Sequence, residues 1–201
     1  MYSVILTTAF FPPISYFSAI YHSNAVFIEK FENYQRQTIR NRCYIVSSQG
    51  IQTLVVPVKK TDDKIVTHIE LDYTTPWISK QCQAIRSAYG KTPFFTYFSD
   101  ELLAPLYAKH RYLFDLNMDI LNRCLSILEI TNSIRFTEEY KHSYDSITDL
   151  RSCSAKKNTP FCKAYQIKSY TQAFSERLPF IADLSILDLI FNVGKEGLLL
   201  L

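Results

Sequence analysis

Only four glycines occur in 201 residues, where an average usage of about 7% would supply roughly 14. Glycine is what lets a backbone take left-handed turns and approach a phosphate closely. A fold organised around a glycine-rich phosphate loop is therefore disfavoured. At this length one domain spanning 1–201 is expected, and folding buries roughly 70% of the surface the extended chain exposes. With 47% hydrophobic and 20% charged residues, the composition excludes a disordered, fibrous or membrane-spanning chain. The balance of 22 basic against 19 acidic residues leaves a net charge of +3, too mild to mark a nucleic-acid binder.

The first nine residues lack Lys and Arg, so no secretory leader is expected, and no apolar run reaches the ~18 residues of a membrane span. Cys43, Cys82, Cys124, Cys153 and Cys162 are odd in number and show no Cys-x-x-Cys spacing. They read as reduced small hydrophobes of a cytoplasmic protein. With His22, His68, His110 and His142 equally scattered, no metal site is expected.

The pattern along the chain predicts an α/β fold. An N-terminal βαβ-like unit and a hairpin form a mixed sheet, and the second half is mainly helical. Ser3–Leu6 and Ala25–Ile28 read as strands on either side of a helix opened by Pro12 and Pro13. Residues 29–41 read as a loop or short helix. Cys43–Val46 and Leu54–Val58 flank a Ser47–Gly50 turn. Apolar Val66, Ile69 and Leu71 beside polar Glu70 and Asp72 suggest a strand over 65–71, and Thr75-Pro76 opens a helix that runs to Tyr89 and stops at Gly90. Residues 93–130 are helical, with the stripe Leu113, Leu116, Ile120, Leu121, Cys124, Leu125 and Leu128. Ile134–Phe136 suggests a strand, 141–168 an irregular excursion or lid, and Leu184–Phe191 a last apolar helix.

The richest polar segment is 29–42. After a βαβ-like unit it would lie near the carboxyl end of a strand, the usual ligand crevice of open α/β sheets. Arg40 and Arg42 flank Asn41, and in an extended segment they would share a face as a clamp for phosphate or carboxylate. The competing reading is a solvated loop with ion pairs to Glu29 and Glu32. Lys59, Lys60 and Lys64, diluted by Asp62 and Asp63, read as a solvated hairpin end. There is no Gly-x-Ser-x-Gly elbow and no Walker loop, and Glu32 is the one weak candidate for a general base.

Phe10-Phe11-Pro12-Pro13-Ile14-Ser15-Tyr16-Phe17, Glu32-Asn33-Tyr34, Arg40-Asn41-Arg42-Cys43-Tyr44-Ile45, Leu54-Val55-Val56-Pro57-Val58, Trp77, Ala88-Tyr89 and Pro93-Phe94-Phe95 together resemble the WbqC-like family. Leu184–Asn192 resembles the branch common in Bacteroidetes-type bacteria. The resemblance implies a place in O-antigen and other surface-polysaccharide biosynthesis. It also implies acyl or aminoacyl transfer to a sugar or nucleotide-sugar, with Asn33, Tyr34, Arg40, Asn41 and Arg42 holding an anionic substrate. The alternative is a non-catalytic partner of glycan enzymes, with exposed aromatics between Tyr89 and Tyr112 as its contact surface. Two histidines frequent in the family are replaced here: the first falls on the Thr7–Phe11 stretch and the second on Gln81. The cofactor stays unassigned.

Overall fold

Val4, Ile5 and Leu6 are apolar and fully buried at the centre of Ser3–Thr7, which forms β1. The connection through Pro12 and Pro13 leads into α1 (Ile14–Tyr21), and Ala25–Glu29 returns as β2, parallel to β1 with Ser3 opposite Ala25 and Thr7 opposite Glu29. The computed structural model describes residues 2–153, 161–162 and 165–201. β3 (Arg42–Ser47) and β4 (Gly50–Val55) make the expected antiparallel hairpin, a two-stranded sheet of its own. β5 (Ile134–Phe136) and β6 (Ile147–Asp149) complete a parallel sheet in the order β5-β2-β1-β6. The α/β class and the helical second half are therefore as expected, with the strands divided between a parallel sheet and a hairpin.

α2 (Trp77–Tyr89), α3 (Phe95–Tyr107), α4 (Leu113–Ile127) and α5 (Ile186–Val193) follow the apolar stripes. α5 is buried from Ile186 through Phe191 and touches α1, α2, α3 and β3. A helix apolar on all sides has to be enclosed, and each of its large side chains contributes about 1.5–3 kcal/mol on burial. Ser185 caps it, its Oγ accepting from Leu187 N. Gly194 ends it at φ +70°, a backbone that L side chains rarely adopt, and a Cβ there would lie 2.8 Å from the Phe94 ring. Gly194→Ala is expected to cost about 1–3 kcal/mol, read as a lowered melting temperature. An unchanged melt would mean that the Phe94 contact is slack.

Two segments differ from the sequence reading. Residues 65–71 form no strand. Val66–His68 is a single 3-10 turn, and Ile65, Glu70 and Leu71 each bridge a different strand-like partner. The apolar pattern that suggested a strand reflects burial of Val66, Ile69 and Leu71 from a turn. Within the stretch read as irregular, Ile147–Asp149 pairs with β1 at Ser3, Val4 and Ile5. Residues 154–160 and 163–164 of that stretch lie outside the described residues. Among the described residues no helix is long and apolar enough to cross a membrane.

Candidate functional site

The carboxyl ends of β1, β2, β5 and β6 converge on buried charge. Glu29, the last residue of β2, is fully buried. Its Oε1 accepts from Thr137 Oγ1 at 2.8 Å and Phe31 N at 2.9 Å, and Oε2 from Arg151 Nη1 at 3.0 Å. Arg151 also pairs with Asp149 at 2.6 Å and stacks on Tyr140 and Tyr144. The Asp149 carboxyl is pulled below its usual range by Arg151, against the opposing effect of its partial burial.

Beside this network Glu32 meets Arg40. Arg40 Nε donates to Glu32 Oε1 at 2.9 Å and Nη2 to Oε2 at 2.5 Å, a bidentate pair. Thr7 Oγ1 donates to Oε1 as well, and Arg40 Nη1 to Thr38 Oγ1. Arg40 is 1% and Glu32 5% exposed. Asn117 Nδ2 of α4 donates to the Arg40 carbonyl, fixing the turn to the helical half. The proposed sharing of a face by Arg40 and Arg42 is thus corrected. Arg40 lies in a turn ahead of β3, where the two-residue alternation of a strand does not hold.

Arg42 faces elsewhere. With Tyr34, Arg36, Gln37 and Asn41 it lines a cleft of about 600 Å³, which the 58–64 segment also borders. That volume is within the range of small-molecule sites. Lys60 and Lys64, read from sequence as part of a solvated hairpin end, form its second wall together with Lys59. Lys59 is engaged by Glu70 at 2.8 Å, and Asp63 by His68 and the Ile65 amide. Among the described residues, Arg36, Arg42, Lys60 and Lys64 have no carboxylate within ion-pair distance. Val58 and Ile69 give the cleft an apolar element.

The Arg36 wall is a held shape. Gln37 sits at φ +62°, an uncommon backbone for a residue other than glycine, and turns the chain back toward Asn41. Asn41 Nδ2 donates to Val56 O at 2.9 Å, tying that wall to the residue after β4. Asn41 Oδ1 and Arg42 Nε are buried and have no hydrogen-bond partner among the described residues. Nearby cations offset part of the desolvation that raises the Tyr34 hydroxyl above its usual range.

Of the residues singled out from sequence, Tyr34, Asn41 and Arg42 meet in the cleft. Glu32 and Arg40 are joined behind it, and Asn33 is exposed, its backbone bridging Ile65. Sequence reasoning missed Arg36, Lys60 and Lys64 as members of one site, because only the tertiary fold sets residues 58–64 around the same cleft as residue 36. Thr7 holds Glu32, and Gln81 is buried with Nε2 on the Val55 carbonyl. Both positions at which the resemblance implied a family histidine are thus occupied by side chains hydrogen-bonded within the fold. No group of three His, Cys, Asp or Glu side chains among the described residues could hold a metal ion.

An uncharacterized protein of Mycobacterium tuberculosis (strain ATCC 25618 / H37Rv), Rv1507c, is 27% identical over 221 aligned positions, covering 96% of this chain and 94% of its own. No solved structure matches the chain. The WbqC-like protein family matches residues 8–159, and the chain belongs to that family.

Proposed function

We propose that the protein binds a small anion, through phosphate or carboxylate, in the cleft lined by Arg36, Arg42, Lys60 and Lys64. The observation that carries this reading is that all four cations border one concave site and have no carboxylate partner among the described residues, the one carboxylate that also borders it, Asp63, being bonded to His68. Cations at a purely structural surface are usually diluted by acids, as Lys59 is by Glu70. Two unmet buried polar atoms, Arg42 Nε and Asn41 Oδ1, cost about 1–3 kcal/mol each. A ligand that draws Arg42 toward it would relieve part of that cost.

The finer reading is a transferase of surface-polysaccharide biosynthesis that moves an acyl or aminoacyl group onto a sugar or nucleotide-sugar in the cytoplasm. Its support is the family resemblance, and the anion cleft suits an activated donor. The apolar run that forms α5 supports the Bacteroidetes-type branch. In this reading Arg42 grips the anion, Tyr34 and Asn41 shape its wall, and Glu32 and Arg40 hold the loop. The second reading, a partner of glycan enzymes, draws on Tyr97 and Tyr107 of α3, 78% and 61% exposed.

Orthophosphate at millimolar concentration is expected to raise the melting temperature, since a ligand at 100 times its Kd adds about 2.7 kcal/mol. The rise should vanish in Arg42→Ala while the unliganded melt moves little, because Arg42 is half-buried and unpaired. A flat response of the native protein to both phosphate and carboxylate anions would overturn the anion reading.

A further inference from the structure

The two walls of the cleft differ in a way that specifies its ligand beyond "an anion", and this inference rests on the anion reading above. Arg36 and Arg42 stand on the turn-and-strand segment 34–42, and Lys60 and Lys64 on the neighbouring segment 58–64, whose Lys64 carbonyl accepts from Tyr34 N at 2.6 Å. The arginine wall is pre-shaped: Gln37 holds a left-handed backbone, Asn41 is bonded to Val56 O, and Arg42 Nε waits without a partner. A guanidinium fork binds one phosphoryl group with directional hydrogen bonds. The lysines are flexible point charges that follow a second charge wherever it sits. A single phosphoryl group on the arginine fork leaves Lys60 and Lys64 without an ion-pair partner among the described residues, since Asp63, which also borders the cleft, is bonded to His68 Nδ1 at 2.6 Å and to the Ile65 amide rather than to either lysine.

We propose that the ligand carries a diphosphate, free or as an ester, with one phosphoryl group on Arg36 and Arg42 and the other on Lys60 and Lys64. A cleft of about 600 Å³ leaves room for both phosphoryl groups and for part of what they are attached to. The geometry argues against a carboxylate or a lone monophosphate as the preferred ligand, because each has one anionic head for two cationic walls.

Calorimetric titration of the full chain with orthophosphate and pyrophosphate tests this. Pyrophosphate is expected to bind about tenfold to a hundredfold more tightly, as two further charge-assisted contacts allow. A larger anion binds any basic surface better, so wall variants decide the matter. Lys60→Ala with Lys64→Ala should bring pyrophosphate down to the orthophosphate affinity and leave orthophosphate itself within about twofold. Arg42→Ala should weaken both anions together. Equal losses for both anions in every variant would mean a diffuse basic patch and would overturn the proposal. Orthophosphate and pyrophosphate binding equally, both sensitive to Arg42→Ala, would overturn the diphosphate assignment and leave the anion reading intact. Binding of neither would overturn both.

Discussion

Arg40→Ala is expected to lower the melting temperature by about 6–20 °C. Arg40 and Glu32 are both nearly inaccessible, and the pair is bidentate. Removing the guanidinium strands a carboxylate whose remaining side-chain partner is Thr7 Oγ1. Breaking a buried pair from one side costs about 3–5 kcal/mol, out of a total stability of about 5–15 kcal/mol. In a chain of this size each kcal/mol moves the midpoint by about 2–4 °C. Replacing both partners, as Arg40→Met with Glu32→Leu, should recover most of the loss, since apolar replacements of buried ion pairs are often neutral. Arg42→Ala is the contrast, with little effect on the melt and a large one on anion binding. If Arg40→Ala melted within about 2 °C of the parent, the pair would not be what holds residues 32–41 in place.

Asp188→Asn is expected to stabilise the protein above neutral pH. Asp188 lies on α5, fully buried, with Oδ2 accepting from Tyr170 Oη at 2.6 Å and Gln172 Nε2 at 2.7 Å. Oδ1 has no hydrogen-bond partner, and Tyr89 lies close by. Burial raises the carboxyl from 3.8 to about 6, outweighing the hydroxyl and amide donors that pull it back. The groups around it are the neutral phenols of Tyr89 and Tyr170, themselves pushed up by burial, with Asp183 acting on Tyr170. A carboxyl raised on folding holds its proton better in the native state. Its stabilising contribution is therefore present below about pH 4 and is lost as pH rises through about 6. The full difference is on the order of 2–3 kcal/mol. Asp183 is raised as well, so the informative quantity is the parent melt minus the Asp188→Asn melt at each pH. That difference should fall between about pH 4 and 6.5 and then level off at a negative value, with the variant more stable at pH 7.5. A variant less stable than the parent at pH 7.5 would show that the ionised carboxylate is needed by Tyr170 and Gln172.

Elements with strong periodicity were legible in the sequence, and elements made by pairing were less so. The βαβ-like unit, the hairpin, α2 and α4 announce themselves because burial on one or both faces demands apolar residues at fixed spacing. β6 does not. Its three residues Ile147, Thr148 and Asp149 form an edge with two exposed side chains, which leaves almost no pattern to read. The 65–71 segment misled for the opposite reason, since closely spaced buried residues such as Val66, Ile69 and Leu71 fit a turn as well as a strand. At the candidate site, the sequence drew attention to a loop that borders the cleft, and Glu32 with Arg40 was a foreseeable ion pair. Which arginine points into solvent depends on where β3 begins, one residue after Asn41. The lysine wall depends on a long-range juxtaposition that no local spacing encodes.

The pairing of β1 with β6 also governs how the chain can be made. Of the four strands of its sheet β1 is made before the others, and one of its two edges waits for a partner that begins at Ile147. At about 5–20 residues per second that wait lasts roughly 7–30 s. During it the nascent chain carries an open apolar strand edge, the kind of surface on which chains stick to one another. The buried turn before β3 has the same dependence, because the Arg40 carbonyl is held by Asn117. Translation rate and chaperone occupancy over the middle of the message should therefore govern the yield of native protein more than the speed of its last steps.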